Sequence, residues 1–231
     1  RHFADPVAPV ASGRDLGLPD DRNYPTWQVM LEGELARPEG DRIDLVSIVT
    51  PNHVHYPAAR EFLKRGIHVI CDKPLTSTLT DAKKLVKAAE SANALFILTH
   101  NYTGYPMVRQ AHEMVANGDI GKIRVVQVEY AQDWLSKADD SKQAAWRTDP
   151  ARSGLGGSTG DIGTHAFNLA SFVTGLELES LSADLQAFMG GRALDDNAHV
   201  MMRFSGVFHR ILLYFFTIVF TVVVNFFSKC L

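Results

Sequence analysis

Lys73, in the run Cys71-Asp72-Lys73-Pro74, stands where chemistry is most readily done. It follows a short apolar run, so its ammonium sits at a strand end, where partial desolvation lets it polarise a hydroxyl or carbonyl. The alternative is a solvated surface lysine. A second constellation is Gly160-Asp161-Ile162-Gly163-Thr164-His165. On a helix, Asp161 and His165 share one face, a turn apart. A carboxylate beside an imidazole makes an acid/base pair suited to neutral pH. The plainer alternative has Asp161 as a helix N-cap and His165 as a satisfied, half-buried side chain.

Other residue clusters carry less. Gly154-Leu155-Gly156-Gly157-Ser158-Thr159-Gly160 is glycine-rich, but no strand precedes it and no Gly-Lys-Ser/Thr follows. It is neither a P-loop nor a dinucleotide fingerprint and reads as a mobile loop over a site. His53 and His55 lack a third ligand at a metal spacing, so no metal is expected. Trp134 and Trp146 read as packing residues rather than base-stacking platforms.

The elements that must position these residues alternate. Residues 1–23 read as loop and turn. Tyr24 to Arg37 has a helical period through Trp27, Met30, Leu31 and Leu35. Ile43 to Val49 is a buried strand ended by Thr50-Pro51-Asn52. His53 to Arg65 is a helix closed by Gly66, and Ile67 to Cys71 a strand. Thr80 to Asn93 is a helix with Thr80 as N-cap and Leu85, Val86 and Ala89 inward. Ala94 to Leu98 is a strand and Pro106 to Ala116 a helix. Strands and helices of these lengths imply βαβ units and a parallel sheet. Ligands of such sheets bind outside the carboxyl ends of the strands, here Thr50-Pro51-Asn52, Asp72-Lys73-Pro74 and Thr99-His100-Asn101-Tyr102.

After Gly121 the style changes. Lys122 to Tyr130 alternates polar and apolar residues, as a strand with one wet face does. A polar stretch, Ser136 to Ser158, precedes a helix from about Asp161 to Val173. Two strands follow, near Leu178 to Phe188 and Asn197 to Phe204. The expected fold class is α/β. A partial Rossmann parallel sheet over residues 1–120 is followed by an α+β domain over 121–206 with an open, mainly antiparallel sheet, and by an atypical apolar tail over 207–231.

The chain has 231 residues and a net charge of −3 from 23 basic and 26 acidic residues, which argues against a dedicated nucleic-acid binder. Cys71 and Cys230 form neither a CxxC pair nor a metal cluster, and a reducing, cytoplasmic compartment is the simpler reading. Residue 1 is Arg and no signal peptide follows it. Ile211 to Phe227 contains no charged residue. That length is marginal for a membrane span, and its Val, Phe, Ile and Thr also suit buried strands.

The runs Val46-Ser47-Ile48-Val49-Thr50-Pro51-Asn52-His53-Val54-His55 and Gly66-Ile67-His68-Val69-Ile70-Cys71-Asp72-Lys73-Pro74-Leu75, with the later Gly160-to-His165 motif, closely resemble the Gfo/Idh/MocA oxidoreductases. The resemblance covers about residues 14–205. It implies NAD or NADP as cofactor and hydride transfer at a sugar or cyclitol hydroxyl. It implies that His165 takes the hydroxyl proton, that Lys73 holds the same oxygen as its charge develops, and that Asp161 positions a substrate hydroxyl. It places Thr50, Pro51, Asn52, His55, Asp72 and Asn101 around the nicotinamide, with Trp146 and Arg147 as further cofactor or substrate contacts. It also implies a homo-oligomer formed through the second-domain sheet.

The chain departs from the family pattern at three points. Asp72 replaces the glutamate of the family's EKP motif, Asn168 stands where an aspartate is common, and the opening strand with its GxGxxG turn is absent. The expectation is therefore the middle of a longer enzyme, truncated at both ends. Its alternatives are a non-catalytic module that cannot hold cofactor, and a protein attached to a membrane through 211–227.

Overall fold

The stretch before Tyr24, expected as loop and turn, contains a helix, α1 (Val7–Asp15), and a 3-10 turn at Asp20–Arg22, in a computed structural model that describes residues 7–204 and 210–215. Pro9 lies in the first turn of α1, where a missing N–H costs nothing, so a residue that reads as turn punctuation is compatible with a helix start. Gly17, at φ 71°, supplies the left-handed residue after the helix.

The first of two compact units ends at Thr99. Helix α2 (Trp27–Leu35) starts at Thr26, whose side chain accepts the Val29 N–H at 3.2 Å. Then β1 (Leu45–Ile48), α3 (Asn52–Lys64), β2 (His68–Asp72), α4 (Leu79–Ser91) and β3 (Phe96–Thr99) alternate, and the sheet order is β1-β2-β3 with both pairs parallel. Val46 pairs with Val69 and Ile48 with Cys71, which puts one apolar row against Ala58, Ala59, Phe62 and Leu63 of α3 and Leu85 of α4. Full burial of the Val, Ile, Leu and Phe side chains among these stabilises by about 1.5–3 kcal/mol each. The N-cap of α4 is Thr78, accepting from Asp81 N–H at 3.1 Å, rather than Thr80. Leu85 is buried as expected, but Val86 is 48% exposed. One residue along a helix turns a side chain off a narrow buried stripe.

The second unit starts at His100. It contains a 3-10 turn (Asn101–Gly104), α5 (Pro106–Ala116), β4 (Val125–Glu129), α6 (Lys142–Arg147), α7 (Pro150–Ser153), a π-turn (Thr159–Gly163), α8 (Thr164–Thr174), β5 (Leu178–Gln186), β6 (Asn197–Phe204) and β7 (Arg210–Phe215). Helix α5 belongs here, ahead of the boundary expected near residue 120, because it packs on α8. His112 stacks on Phe172 at 4.8 Å and its Nδ1 donates to the Phe172 carbonyl at 2.7 Å. The sheet order is β4-β7-β6-β5, with β4 and β7 parallel and the other pairs antiparallel.

Strand β7 lies in the stretch expected as an atypical apolar tail and takes, of its alternatives, that of a sheet strand. Arg210–Phe215 pairs on both sides, with β4 and with β6. The remainder of the apolar tail, 216–231, lies outside the described residues, as do 205–209. Among the described residues, no helix is long and apolar enough to cross a membrane.

Candidate active site

In the first unit, the carboxyl ends of β1 and β2 carry the expected polar turns, and His55 holds them from behind. Its ring is fully buried, with Nδ1 2.9 Å from the Pro74 carbonyl oxygen and Nε2 2.9 Å from that of Thr50. Burial pushes the His55 imidazole below its ordinary pKa, outweighing the two carbonyls, which favour the cation. His55 therefore braces the loops instead of presenting its ring to a ligand. Pro51 and Asn52 are also buried, at the start of α3. The Thr50 hydroxyl oxygen is buried without a hydrogen-bond partner.

Asp72 ends β2. Its Oδ1 accepts from the Lys73 N–H at 2.9 Å and from the Thr99 hydroxyl at 2.9 Å, tying the end of β2 to the end of β3. Lys73 follows, half-buried rather than fully solvated, and its peptide bond to Pro74 is cis. Cys71, one residue earlier, has its thiol pushed up to about 12 by burial, so it stays protonated and unreactive.

In the second unit, His165 lies near the start of α8, 6% exposed. Its ring meets Tyr102 at 4.7 Å, His100 at 5.9 Å and Tyr130 at 6.3 Å between centroids. The Tyr102 and Tyr130 hydroxyls are 2.6 Å apart, and Gln132 donates to Tyr130 at 3.2 Å. Burial first, and the bond to Tyr102 second, hold the Tyr130 phenol well above its ordinary range, so it stays neutral. Tyr130 was missed in the sequence and Tyr102 entered only as part of a strand-end turn, because nothing in a lone Tyr marks its proximity to a histidine 35 or 63 residues away.

Asp161 does not open an α-helix. It sits in the π-turn and makes an ion pair with Arg147, whose Nε is 3.3 Å from Oδ2. Single π-turns of this kind recur at functional sites. The Arg147 guanidinium lies 4.3 Å from the Trp146 ring centroid and 5.5 Å from that of Trp134, and donates to Gln143 Oε1 at 2.6 Å. Asp161 and Arg147 line a cleft with Gln132, Trp134, Arg192 and Asp195. Trp134, expected as a packing residue, is 37% exposed there. Asn101 is exposed on its 3-10 turn, its amide 3.5 Å from the Tyr105 hydroxyl.

The glycine-rich segment, expected as a mobile loop, is anchored. Asp195 accepts from Gly157 N–H at 2.7 Å, Thr159 N–H at 2.7 Å, Ser158 Oγ at 2.7 Å and Thr159 Oγ1 at 2.8 Å. Gly157 allows this approach, since a Cβ there would meet the Asp195 carbonyl oxygen at 2.1 Å.

Residues 22–100 match the family model of the NAD-binding Rossmann fold of an oxidoreductase family, and residues 108–218 match the GFO/IDH/MocA C-terminal domain. An oxidoreductase from Sinorhizobium meliloti is 57% identical, with a TM-score of 0.80 over 93% of this chain and 56% of its own. An inositol dehydrogenase homologue from Azotobacter vinelandii, solved with NADH and myo-inositol, is 33% identical with a TM-score of 0.82, over 91% of this chain and 53% of its own. The levoglucosan dehydrogenase of Pseudarthrobacter phenanthrenivorans is 34% identical over 66% of this chain and 38% of its own length. The chain thus spans about half, or less, of the length of these relatives. The strand-end lysine and the Asp161/His165 turn sit in units matched in order by the two halves of one architecture, and the chain belongs to the Gfo/Idh/MocA oxidoreductase family.

Proposed function

We propose that the protein acts as a nicotinamide-dependent dehydrogenase or reductase on a sugar, anhydrosugar or cyclitol, exchanging hydride between the cofactor and a CH–OH or carbonyl carbon. The observation that carries this reading is His165, an imidazole held against Tyr102 and Tyr130 with Asp161 one turn before it.

The residues of the first unit fit a dinucleotide. The turns after β1 and β2 are polar, Thr50 Oγ1 is buried with no protein partner, and α3 begins at Asn52 with no side-chain cap. Thr50, Asn52 and Lys73 are the groups that would hold the nicotinamide end, with His55 and Asp72 keeping their loops in place. NAD or NADP supplies the hydride acceptor when bound. His165 takes the hydroxyl proton as hydride leaves, and the two tyrosines keep its ring orientation. Lys73 stabilises negative charge on the reacting oxygen. Asp161, held by Arg147, accepts a hydrogen bond from a neighbouring substrate hydroxyl, and Trp134 offers an apolar wall for the C–H face of a ring.

Titration with NADH and NADPH, followed by nicotinamide fluorescence, tests the cofactor. Reduction of NAD or NADP in the presence of myo-inositol, levoglucosan and simple aldoses tests the reaction. Saturable cofactor binding and polyol-dependent reduction are expected. His165→Ala is expected to lower kcat by roughly 100-fold or more without changing NADH affinity. Absence of cofactor binding and of turnover by this chain would overturn the proposal in favour of a non-catalytic module.

A further inference from the structure

Two adjacent carboxylates on the turn into β6 each capture a different loop. Asp196, 5% exposed, accepts from Phe188 N–H at 2.8 Å and Met189 N–H at 2.9 Å, and pairs with Arg192 at 3.3 Å. Arg192 in turn donates to the Leu135 carbonyl at 2.9 Å, next to Trp134. Asp195 takes the four donors of the Gly157–Thr159 segment, and its own carbonyl accepts Ser158 N–H at 2.8 Å. That segment leads directly into the π-turn bearing Asp161. The pair therefore fastens the three segments that carry Trp134, Asp161 and Arg192, all lining one cleft.

We propose that Asp195 is a positioning residue, setting the place of Asp161 and thereby the recognition of substrate hydroxyls. This rests on the function proposed above. Asp161 stands on a π-turn preceded by glycines at 154, 156 and 157, a backbone with little stiffness of its own. Four charge-assisted hydrogen bonds to one carboxylate remove that freedom two residues before Asp161. A hydroxyl-reading carboxylate misplaced by about 1 Å loses much of its effect on catalysis. The glycines permit the close approach, and the acceptor that exploits it comes from another loop.

Asp195→Asn keeps the shape and replaces one acceptor oxygen with an NH2. Whichever way the amide turns, it opposes either the Gly157 donor or the Ser158 and Thr159 donors. Three readouts apply to wild type and variant: amide exchange along 157–161, the guanidinium nitrogen resonance of Arg147, and affinity for myo-inositol or levoglucosan in the presence of NADH. The variant is expected to exchange faster at 157–161 with the amides of β5 and β6 unchanged, to shift the Arg147 resonance, and to bind polyol about 10-fold more weakly with NADH affinity intact. An unmoved Arg147 resonance overturns the proposal, as does faster exchange with unaltered polyol affinity, since the bonds would then be structural only. If wild type binds no polyol, the proposed function fails, while the Arg147 resonance still decides whether Asp195 places Asp161.

Discussion

His55 in the first unit and Asp195 in the second do similar work with opposite chemistry. His55 is fully buried and faces two backbone carbonyls, those of Thr50 and Pro74. Asp195 is half-buried and faces four donors from Gly157, Ser158 and Thr159. The turns after β1 and β2 leave carbonyls over, so their brace must donate. The segment entering α8 leaves N–H groups over, as helix starts do, so its brace must accept. Which backbone groups a loop leaves unpaired thus dictates the residue type that holds it. The costs differ as well. A neutral imidazole has one N–H for two carbonyls, and its burial resists the cation that could serve both. A carboxylate satisfies all its donors without changing charge.

The largest expected effect is from His55→Ala. It leaves a cavity in a fully buried site and removes the single N–H that the neutral ring donates between the two carbonyls, so a loss of about 3–4 kcal/mol is expected in urea denaturation. Asp195→Ala removes an acceptor from groups that water can reach in part, and about 2 kcal/mol is expected by the same measurement. A larger loss at Asp195 than at His55 would break the comparison. Acidification acts on the His55 brace. The folded-state pKa of His55 lies below its unfolded value of about 6.5, so its contribution is complete above pH 6.5. Below it the unfolded chain takes up a proton that the folded one refuses, and stability falls until the folded pKa is reached, by about 1.4 kcal/mol for each unit of depression. His55→Gln is expected to flatten that decline in denaturation midpoints compared at pH 7.5 and pH 5. The smallest effect calibrates a single acceptor: Thr78→Ala, which loses one bond to Asp81 N–H, costs about 1 kcal/mol, whereas Thr80→Ala stays within about 0.5 kcal/mol. Equal losses at 78 and 80 would mean that the cap bond contributes nothing measurable.

Much of the first unit was legible in the chain because its signals are local. The β-branched runs at 45–48 and 68–72, and the helices between them, are set by periodicity within one element and by the turn residues that close it. The place of Lys73 immediately after a strand was legible the same way. Misreadings arose where two local signals compete. Pro9 reads as turn punctuation yet sits in a helical first turn, and Thr78 and Thr80 are both plausible caps until the chain path chooses one. The apolar run at 210–215 could be tail, anchor or strand, and only β4 and β6 on either side make it a strand.

The site divides along the same line. By itself the sequence determined which residues to propose for the chemistry, Lys73 after a strand and Asp161 with His165 in one short motif, because residue type and spacing are properties of the chain. Only the tertiary structure decided what those residues touch: Arg147 against Asp161, Tyr102 and Tyr130 against His165, Asp195 against the glycine-rich segment. These partners lie 14 to 63 residues apart along the chain. Hydrogen bonds and ring contacts act over a few ångströms of space and leave no trace in sequence order until the fold has closed the distance.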